Sequence, residues 1–133
     1  MTEQKPTIYV VEDDLETRKS TELLFSLSGF TTLCFESAES MLDSAESMTQ
    51  LATSHCGCVL ADLRLPGMNG LQLFHRLRRD GITIPVILIS GHADDETIEQ
   101  ATDAGVKEFL LKPVRPDELI ASLRSATQRD AVA

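Results

Sequence analysis

The sequence predicts an α/β fold in which a parallel five-stranded sheet carries helices on both faces. Five short apolar or β-rich runs alternate with five segments of helical period, an alternation typical of parallel βα units. The fourth run, at 84–90, is the most hydrophobic, as a central strand covered on both faces should be. No internal repeat or low-complexity segment is present. The 133 residues therefore predict one domain, with its core at about 7–126 and a polar tail at 128–133.

Each predicted strand is a short apolar run that ends at a polar or charged residue. The third run stops on a single carboxylate, Asp62, and the chain then breaks at Pro66 and Gly67 before a new helical pattern begins at Leu71. In chain order the predicted strands are 8–11, 30–35, 56–61, 84–90 and 108–111.

The helices between these strands are placed by their caps and by apolar spacing. Asp14 and Asp94 precede the first and fourth helices as N-caps. Gly29 and Gly105 end the same two helices, and Pro116 suits the first turn of the fifth. The apolar positions expected in the first three helices are Leu23, Leu24 and Leu27, then Met41, Leu42 and Ala45, then Leu71, Phe74 and Leu77.

The least regular part of the pattern is the polar segment 44–55. It follows the second helix, which Ser37 opens, and it lacks a clean helical or strand period. We expect an extended end of that helix followed by a loop.

Composition sets the broad class of the protein. The hydrophobic fraction is 42% and the charged fraction 25%, as in ordinary soluble globular domains. No apolar run is long enough for a membrane span and the N-terminus lacks signal-peptide character, so we expect a cytoplasmic protein without membrane contact. The net charge of −9 disfavours direct nucleic-acid binding, because the phosphate backbone would be repelled.

The three cysteines are Cys34, Cys56 and Cys58. Their odd number and their positions in strand-like runs favour buried, reduced thiols. A metal site at 56–58 is disfavoured because no second pair with ligand spacing is present.

Reactive side chains follow four of the five predicted strands. The carboxyl ends of parallel strands share one edge of the sheet, and ligands bind there near the topological switch point. We therefore expect several carboxylates, one hydroxyl and one ammonium to share a small crevice. The residues are Glu12, Asp13 and Asp14 after the first strand, Asp62 after the third, Ser90 at the end of the fourth and Lys112 after the fifth.

This combination fits an aspartyl-phosphate site. Clustered carboxylates repel one another unless a cation compensates them, and Mg²⁺ is usually held by one or two carboxylates while it keeps waters. Lys112 and Ser90 would then contact phosphoryl oxygens, and Asp62 would keep an oxygen free to attack phosphorus. Each feature alone has an ordinary structural explanation, such as helix capping or a turn. Their joint occurrence at successive strand ends favours the functional one.

Four motifs in this order resemble the receiver domain of two-component response regulators, over about 7–126. The resemblance implies a flavodoxin-like doubly wound (βα)5 sandwich of strand order 2-1-3-4-5, and phosphorylation by a histidine kinase that depends on Mg²⁺ or Mn²⁺. The motifs are YVVEDD at 9–14, VLADLRLPGMNGL at 59–71, VILISGHA at 86–93 and EFLLKP at 108–113.

The resemblance also assigns roles by position. Asp62 would be the phosphoacceptor and, with Asp13 and the backbone carbonyl of Arg64, a metal ligand, whereas Glu12 would act through a metal-bound water. Ser90 would bond a phosphoryl oxygen and Lys112 would pair with the phosphate. A cis peptide bond is expected between Lys112 and Pro113.

Three positions depart mildly from the commonest family pattern. Glu12 stands where Asp is commoner, Ser90 where Thr is frequent, and Phe109, the aromatic switch position, where Tyr is frequent. None of these changes removes the chemistry.

The histidines and one arginine add a smaller hypothesis. Arg64 and His92 lie two residues beyond Asp62 and Ser90, and we expect them to flank the path of the attacking water and to tune the phosphate lifetime. An ordinary solvated charge is an equal alternative for Arg64. His55, His75 and His92 are not spaced as metal ligands, and His75 is expected on the surface.

The expected function is that of a phosphorylated switch. Phosphoryl transfer from a sensor histidine kinase, a phosphotransfer protein or a small phosphodonor would move Ser90 and then Phe109. This would change the surface of the fourth helix, fifth strand and fifth helix (the α4-β5-α5 face), which is also a candidate dimer interface. The domain would catalyse only its own phosphorylation and dephosphorylation. It would act alone or as part of a longer regulator.

Three other functions fit the sequence less well. A Mg²⁺-dependent phosphatase with an aspartate nucleophile usually has a second acid two residues later, where this chain has Arg64. A flavodoxin-type nucleotide binder needs a small hydroxyl-rich loop where this chain has three acids at 12–14. A phosphate-independent docking module of receiver ancestry is opposed, though not excluded, by the intact acids and Lys112.

Overall fold

The computed structural model describes residues 5–53, 57–92 and 94–127. Within these ranges the chain forms five strands and six helices. In chain order they are β1 Thr7–Val11, α1 Leu15–Leu27, β2 Thr31–Phe35, α2 Ala38–Leu42, α3 Ala45–Thr53, β3 Cys58–Asp62, α4 Gly70–Arg79, β4 Val86–Ser90, α5 Asp95–Ala104, β5 Glu108–Leu111 and α6 Pro116–Thr127.

The five strands form one parallel sheet of order β2-β1-β3-β4-β5. This confirms the predicted fold class and strand order. Because β2 and β3 lie on opposite sides of β1, the chain reverses its winding direction there, and the carboxyl ends of β1 and β3 border the crevice that this reversal creates.

The two faces of the sheet pack against different helices. Along each strand successive side chains point to opposite faces, so Val10 belongs to one core and Val11 to the other. The first face is covered by α1 and α6. The second is covered by α2 to α5. The central buried side chains of the first face are Ile8, Val10, Phe25, Leu60, Ile87 and Leu123, and those of the second are Tyr9, Val11, Met41, Val59, Leu73, Phe74 and Leu88.

The prediction for the second helix is wrong in the length of the helix and in part of its buried face. The chain forms two helices, α2 and α3, separated at Asp43 and Ser44. The Ser44 hydroxyl accepts the backbone N–H of Ser47 at 3.2 Å and so starts a new helix instead of extending the old one. Met41 is buried as expected, but Ala45 is exposed, and Ser47 and Leu51 form the inner side of α3.

Helix α1 is present as predicted, but two of the leucines that indicated it face outward. Leu23 is 62% exposed and Leu27 79%, whereas Phe25 is completely buried. The ring of Phe25 packs edge-to-face against Phe30, with 6.2 Å between centroids. This large aromatic contact fixes the rotation of the helix. Leu24 packs partly against the same core.

The predicted caps are confirmed. Asp14 accepts the N–H of Thr17, Asp94 accepts the N–H of Thr97, and Gly105 ends α5 with φ 108°. Pro116 is the first residue of α6.

Strand β4 begins at Val86, two residues later than predicted, after Pro85, which has no N–H to donate to a sheet. The predicted strand start at Cys56, the histidine His55 and the tail 128–133 lie outside the described residues. No helix in the described ranges is both long and apolar enough to cross a membrane.

The cysteines agree partly with the prediction. Cys58 in β3 is buried and Cys34 in β2 is half-buried, and both are free thiols. Burial raises the pKa of the Cys58 thiol to about 12. Burial is also the main cause of the raised pKa of Cys34.

We predict that Cys58 resists alkylation in the native protein between about pH 7 and about pH 9, because only the thiolate reacts and its pKa lies far above that window. Iodoacetamide labelling followed by peptide mass analysis measures this. Cys34, which is partly accessible, should be labelled first, and both should be labelled in denaturant. Labelling of native Cys58 as fast as Cys34 would contradict the described burial.

Candidate functional site

The site lies at the carboxyl edge of the sheet, where the ends of four strands lie next to one another in the order β1, β3, β4 and β5. Asp62 is the last residue of β3 and is paired in register with Ile89. Lys112 directly follows β5 and reaches back across the edge. Its ammonium nitrogen Nζ lies 2.7 Å from Asp62 Oδ2 and 3.9 Å from Glu12 Oε1. The structure therefore brings together three groups that are up to 100 positions apart in the chain.

Asp62 is buried, at 7% exposure, and both of its carboxylate oxygens have donors. Oδ2 accepts from the Lys112 ammonium, and Oδ1 accepts the backbone N–H of Arg64 at 2.9 Å. The hydrogen bond to Asp62 is also the main cause of the raised pKa of Lys112. A buried carboxylate is costly unless it is paired and hydrogen-bonded, and this one is both.

Glu12 is the second buried acid of the site. Its Oε2 accepts the backbone N–H of Asp14 at 3.1 Å, and its backbone carbonyl accepts from Arg18 Nη1 at 2.8 Å. Burial is the largest cause of the raised pKa of Glu12, and a hydrogen bond with the Asp13 side chain and the charge of Asp62 add to it. Three crowded acids therefore favour a cation at this edge.

The acidic triplet after β1 divides into two functions. Asp14 accepts both the backbone N–H of Thr17 at 2.9 Å and the Thr17 hydroxyl at 2.7 Å, which lowers its pKa. It is therefore occupied as the N-cap of α1. Glu12 faces the crevice and Asp13 is exposed next to it.

The side chains of the remaining predicted residues make no hydrogen bond to Asp62 within the described ranges. Ser90 is fully buried, and its hydroxyl is bonded to the backbone of His92, accepting from N at 3.2 Å and donating to O at 3.0 Å. Phe109 is half-buried and packs against the core of the second face. The side chains of Arg64 and His92 are exposed. The Lys112–Pro113 bond is cis, as predicted.

One small cavity lies beside the acids. A cavity of about 50 Å³ is lined by residues that include Glu12, Asp62 and Lys112. Sites for nucleotides and other small molecules usually enclose several hundred Å³. This cavity is too small for a nucleotide, and the carboxylates of Glu12 and Asp62 would repel its phosphates.

The family model of the response regulator receiver domain matches residues 8–124. The chain belongs to this family.

Individual relatives agree with this assignment. The chain is 39% identical over 126 residues to nodulation protein W of Bradyrhizobium diazoefficiens, covering 95% of this chain and 53% of the relative. It is 34% identical over 124 residues to the C4-dicarboxylate transport transcriptional regulatory protein DctD of Rhizobium meliloti, covering 93% and 26%. The chain thus spans about half or less of the length of these relatives.

Solved structures give the same result for the fold. The crystal structure of FixJ-N superposes with a TM-score of 0.80 at 29% identity, covering 97% of this chain and 98% of that one. The response regulator StyR superposes with a TM-score of 0.82 at 32% identity, covering 94% and 60%. This is the flavodoxin-like fold of receiver domains of two-component systems, which partner with histidine kinases.

One residue that positions the end of β3 in this receiver domain was not predicted. Gly70, the first residue of α4, packs directly on the end of β3. A Cβ atom there would lie 2.7 Å from the backbone oxygen of Asp62 and 2.9 Å from Leu88 Cδ2. The Asn69-Gly-Leu-Gln72 sequence carries a signal for the adjacent cap, since Asn69 and Gln72 form a capping box. No sequence pattern indicates the close approach of Gly70 itself.

We predict that Gly70→Ala lowers the free energy of unfolding by roughly 1–3 kcal/mol, because the new methyl group would overlap rigid backbone. Urea denaturation followed by circular dichroism measures this. Gly91→Ala is the matched control, since its Cβ would meet only Lys112 at 3.9 Å and Gly91 has no positive φ. A Gly70→Ala protein as stable as Gly91→Ala would show that α4 can move away from β3 without cost.

Proposed function

We propose that this receiver domain accepts a phosphoryl group on Asp62 from the phosphohistidine of a sensor histidine kinase, or from a phosphotransfer protein or small phosphodonor. The single observation that carries the proposal is the pairing of the buried Asp62 with Lys112, at 2.7 Å, on the family's motif positions. In the transfer, an Asp62 oxygen forms a bond to phosphorus while the phosphorus–nitrogen bond to the donor histidine breaks. The imidazole leaves with the electron pair of that bond.

The residues around Asp62 support this chemistry. The Arg64 N–H orients the carboxylate, and Lys112 can follow the negative charge from the carboxylate oxygen to the phosphoryl oxygens, because its flexible side chain already lies at the crevice. The low exposure of Asp62 and Glu12 strengthens these electrostatic contacts. The domain would thus catalyse its own phosphorylation and dephosphorylation and turn over no separate substrate.

A Mg²⁺ or Mn²⁺ ion is part of the proposal. No group of three or more His, Cys, Asp or Glu side chains in the described ranges is arranged to hold a metal. The proposed ligand set does not require one, because Mg²⁺ commonly uses one or two carboxylates and keeps several waters. Asp13, Asp62 and the Arg64 carbonyl would hold the ion, with Glu12 acting through water. The raised pKa of Glu12 among neighbouring acids fits a site that favours a cation. When bound, the ion would neutralise charge on the phosphoryl oxygens.

The proposed output is a change on the face formed by α5, β5 and α6, which corresponds to the α4-β5-α5 face expected from the sequence. Ser90 would exchange its bonds to His92 for a phosphoryl oxygen, and Phe109, half-buried on the same side, would follow. The phosphoryl group can shift this equilibrium only by its different contacts in the two states. This face is also the proposed dimer interface.

The downstream target is proposed from the relatives. DctD is named a transcriptional regulatory protein, and this chain matches only part of it. We propose that the switched face controls transcription in the cytoplasm through a linked or separate DNA-binding partner, while the acidic receiver itself does not bind nucleic acid.

We predict that the protein gains one phosphoryl group when it is incubated with acetyl phosphate and Mg²⁺, and that Asp62→Asn abolishes the gain because the amide lacks the nucleophilic carboxylate oxygen. Intact mass spectrometry measures it, with and without a chelator. Asp103→Asn on α5 is the matched control and should gain the group normally. No gain with any donor, candidate kinases included, would instead favour the phosphate-independent docking module.

We predict that Arg64→Ala and His92→Ala each shorten the phosphate lifetime several-fold, because both exposed side chains would flank the path of the attacking water. Neither change removes a backbone group that bonds Asp62 or Ser90. Loss of the phosphorylated mass after donor removal measures the lifetime. His75→Ala, an exposed histidine on α4, is the control. Lifetimes equal to that of His75→Ala would leave Arg64 and His92 as solvated surface residues.

A further inference from the structure

Glu39, in the first turn of α2, contacts the loop that follows the phosphoacceptor. Its Oε2 accepts the backbone N–H of Met68 at 2.8 Å, although the two residues are 29 positions apart. This hydrogen bond is the main cause of the lowered pKa of Glu39, so the carboxylate is ionised throughout the neutral range.

The neighbouring residue Gly67 shows how closely this carboxylate fits the loop. A Cβ atom on Gly67 would lie 2.5 Å from Glu39 Oε2 and 3.3 Å from its Cδ. Gly67 also has φ +75°, a conformation that L side chains rarely adopt. The carboxylate therefore lies directly over the backbone of the loop, with no side chain between them.

The loop is held at its base by backbone bonds near Asp62. Leu63 N–H donates to Ile89 O at 2.8 Å, Gly70 N–H donates to Leu63 O at 3.1 Å, and Arg64 N–H donates to Asp62 Oδ1. In the part of the chain that the structure describes, the Glu39 bond is the only hydrogen bond that ties positions 65–68 to another element. The buried side chain of Leu65 adds an apolar anchor.

We propose that Glu39 is a positioning residue for the phosphorylation site, which holds the tip of this loop so that the Arg64 carbonyl stays directed toward the metal position beside Asp62. This inference rests on the proposed function and extends it to a residue on a different helix. A carboxylate that accepts a backbone N–H forms a charge-assisted hydrogen bond, which is stronger than a neutral one. Removing residues that orient metal ligands from outside the ligand set typically costs about 10- to 100-fold in metal affinity or activity.

Three substitutions separate the contact from the charge. Glu39→Ala removes both. Glu39→Gln keeps an oxygen that can reach Met68 N–H but loses the charge, whereas Glu39→Asp keeps the charge but shortens the side chain by one methylene. Glu46→Ala is the matched control, because Glu46 occupies the first turn of α3 and makes no hydrogen bond or ion pair within the described ranges.

The experiment is a Mg²⁺ titration of the 133-residue chain, followed by amide shifts in NMR and by the phosphorylation rate with acetyl phosphate. Glu39→Ala and Glu39→Asp should raise the Mg²⁺ concentration for half-saturation about tenfold. Both should also speed hydrogen exchange of the Met68 amide, with little change in the maximal rate at saturating Mg²⁺. Glu39→Gln, which keeps the contact but loses the charge, should raise the half-saturating Mg²⁺ concentration by less than Glu39→Ala does, and Glu46→Ala should match the wild-type protein.

Several outcomes would overturn the inference. It fails if Glu39→Ala titrates like wild type, or if Glu39→Asp does so while Glu39→Gln is weakened, because charge alone would then matter. If Glu39→Ala does not fold by circular dichroism, the Gln and Asp pair decides. If the wild-type chain accepts no phosphoryl group, the proposed function itself is wrong. If the chain is phosphorylated normally but all four variants titrate with Mg²⁺ like the wild-type protein, only the role of Glu39 is wrong.

Discussion

The charge balance at the end of β3 is the constraint on which the rest of the site depends. Asp62 is buried in the middle of the sheet edge, where an unpaired carboxylate would be strongly destabilising. Lys112 compensates it from β5, and the Arg64 N–H compensates it from the following loop. In the observed strand order only β4 lies between β3 and β5, so the side chain of Lys112 can span the distance from the end of β5 to Asp62. The same ammonium lies farther from Glu12, at 3.9 Å, so the negative charge of Glu12 is compensated less closely than that of Asp62.

The loop after Asp62 connects this charge balance to the packing of the helices. Gly70 lets the start of α4 rest against the Asp62 backbone, and Glu39 holds the loop tip from α2. The loop that contains Arg64 is therefore in contact with α2 at its tip and with the start of α4 at its end. Both helices belong to the second face of the sheet, where Met41 and Phe74 are completely or almost completely buried. A well-packed core on this face thus determines the geometry of an exposed loop.

The sequence predicts the parts of this structure that depend on local pattern. Apolar runs that end on charged residues locate the strand ends, and the positions of Asp62 and Lys112 follow from them. Other features depend on tertiary contacts and leave no periodic signal. The outward rotation of Leu23 follows from the packing of Phe25 on Phe30, and the bond from Glu39 to Met68 joins segments that have no common pattern. The break between α2 and α3 was missed because both halves have helical composition, and only the local capping by Ser44 separates them.

The hydroxyl of Ser90 indicates how a switch at this edge would operate. Ser90 is fully buried, and its hydroxyl both accepts from and donates to the His92 backbone. A phosphoryl oxygen can only accept, so the hydroxyl must release the His92 carbonyl to bond it. Leaving a buried polar group unpaired costs about 1–3 kcal/mol, and partial exchange is therefore unfavourable. The proposed switch would therefore have two discrete arrangements of this loop. His92 lies two residues before Asp94, the N-cap of α5, so a rearrangement of its backbone acts directly on the start of that helix. The proposed switch surface on α5, β5 and α6 therefore starts next to His92, whose backbone Ser90 bonds.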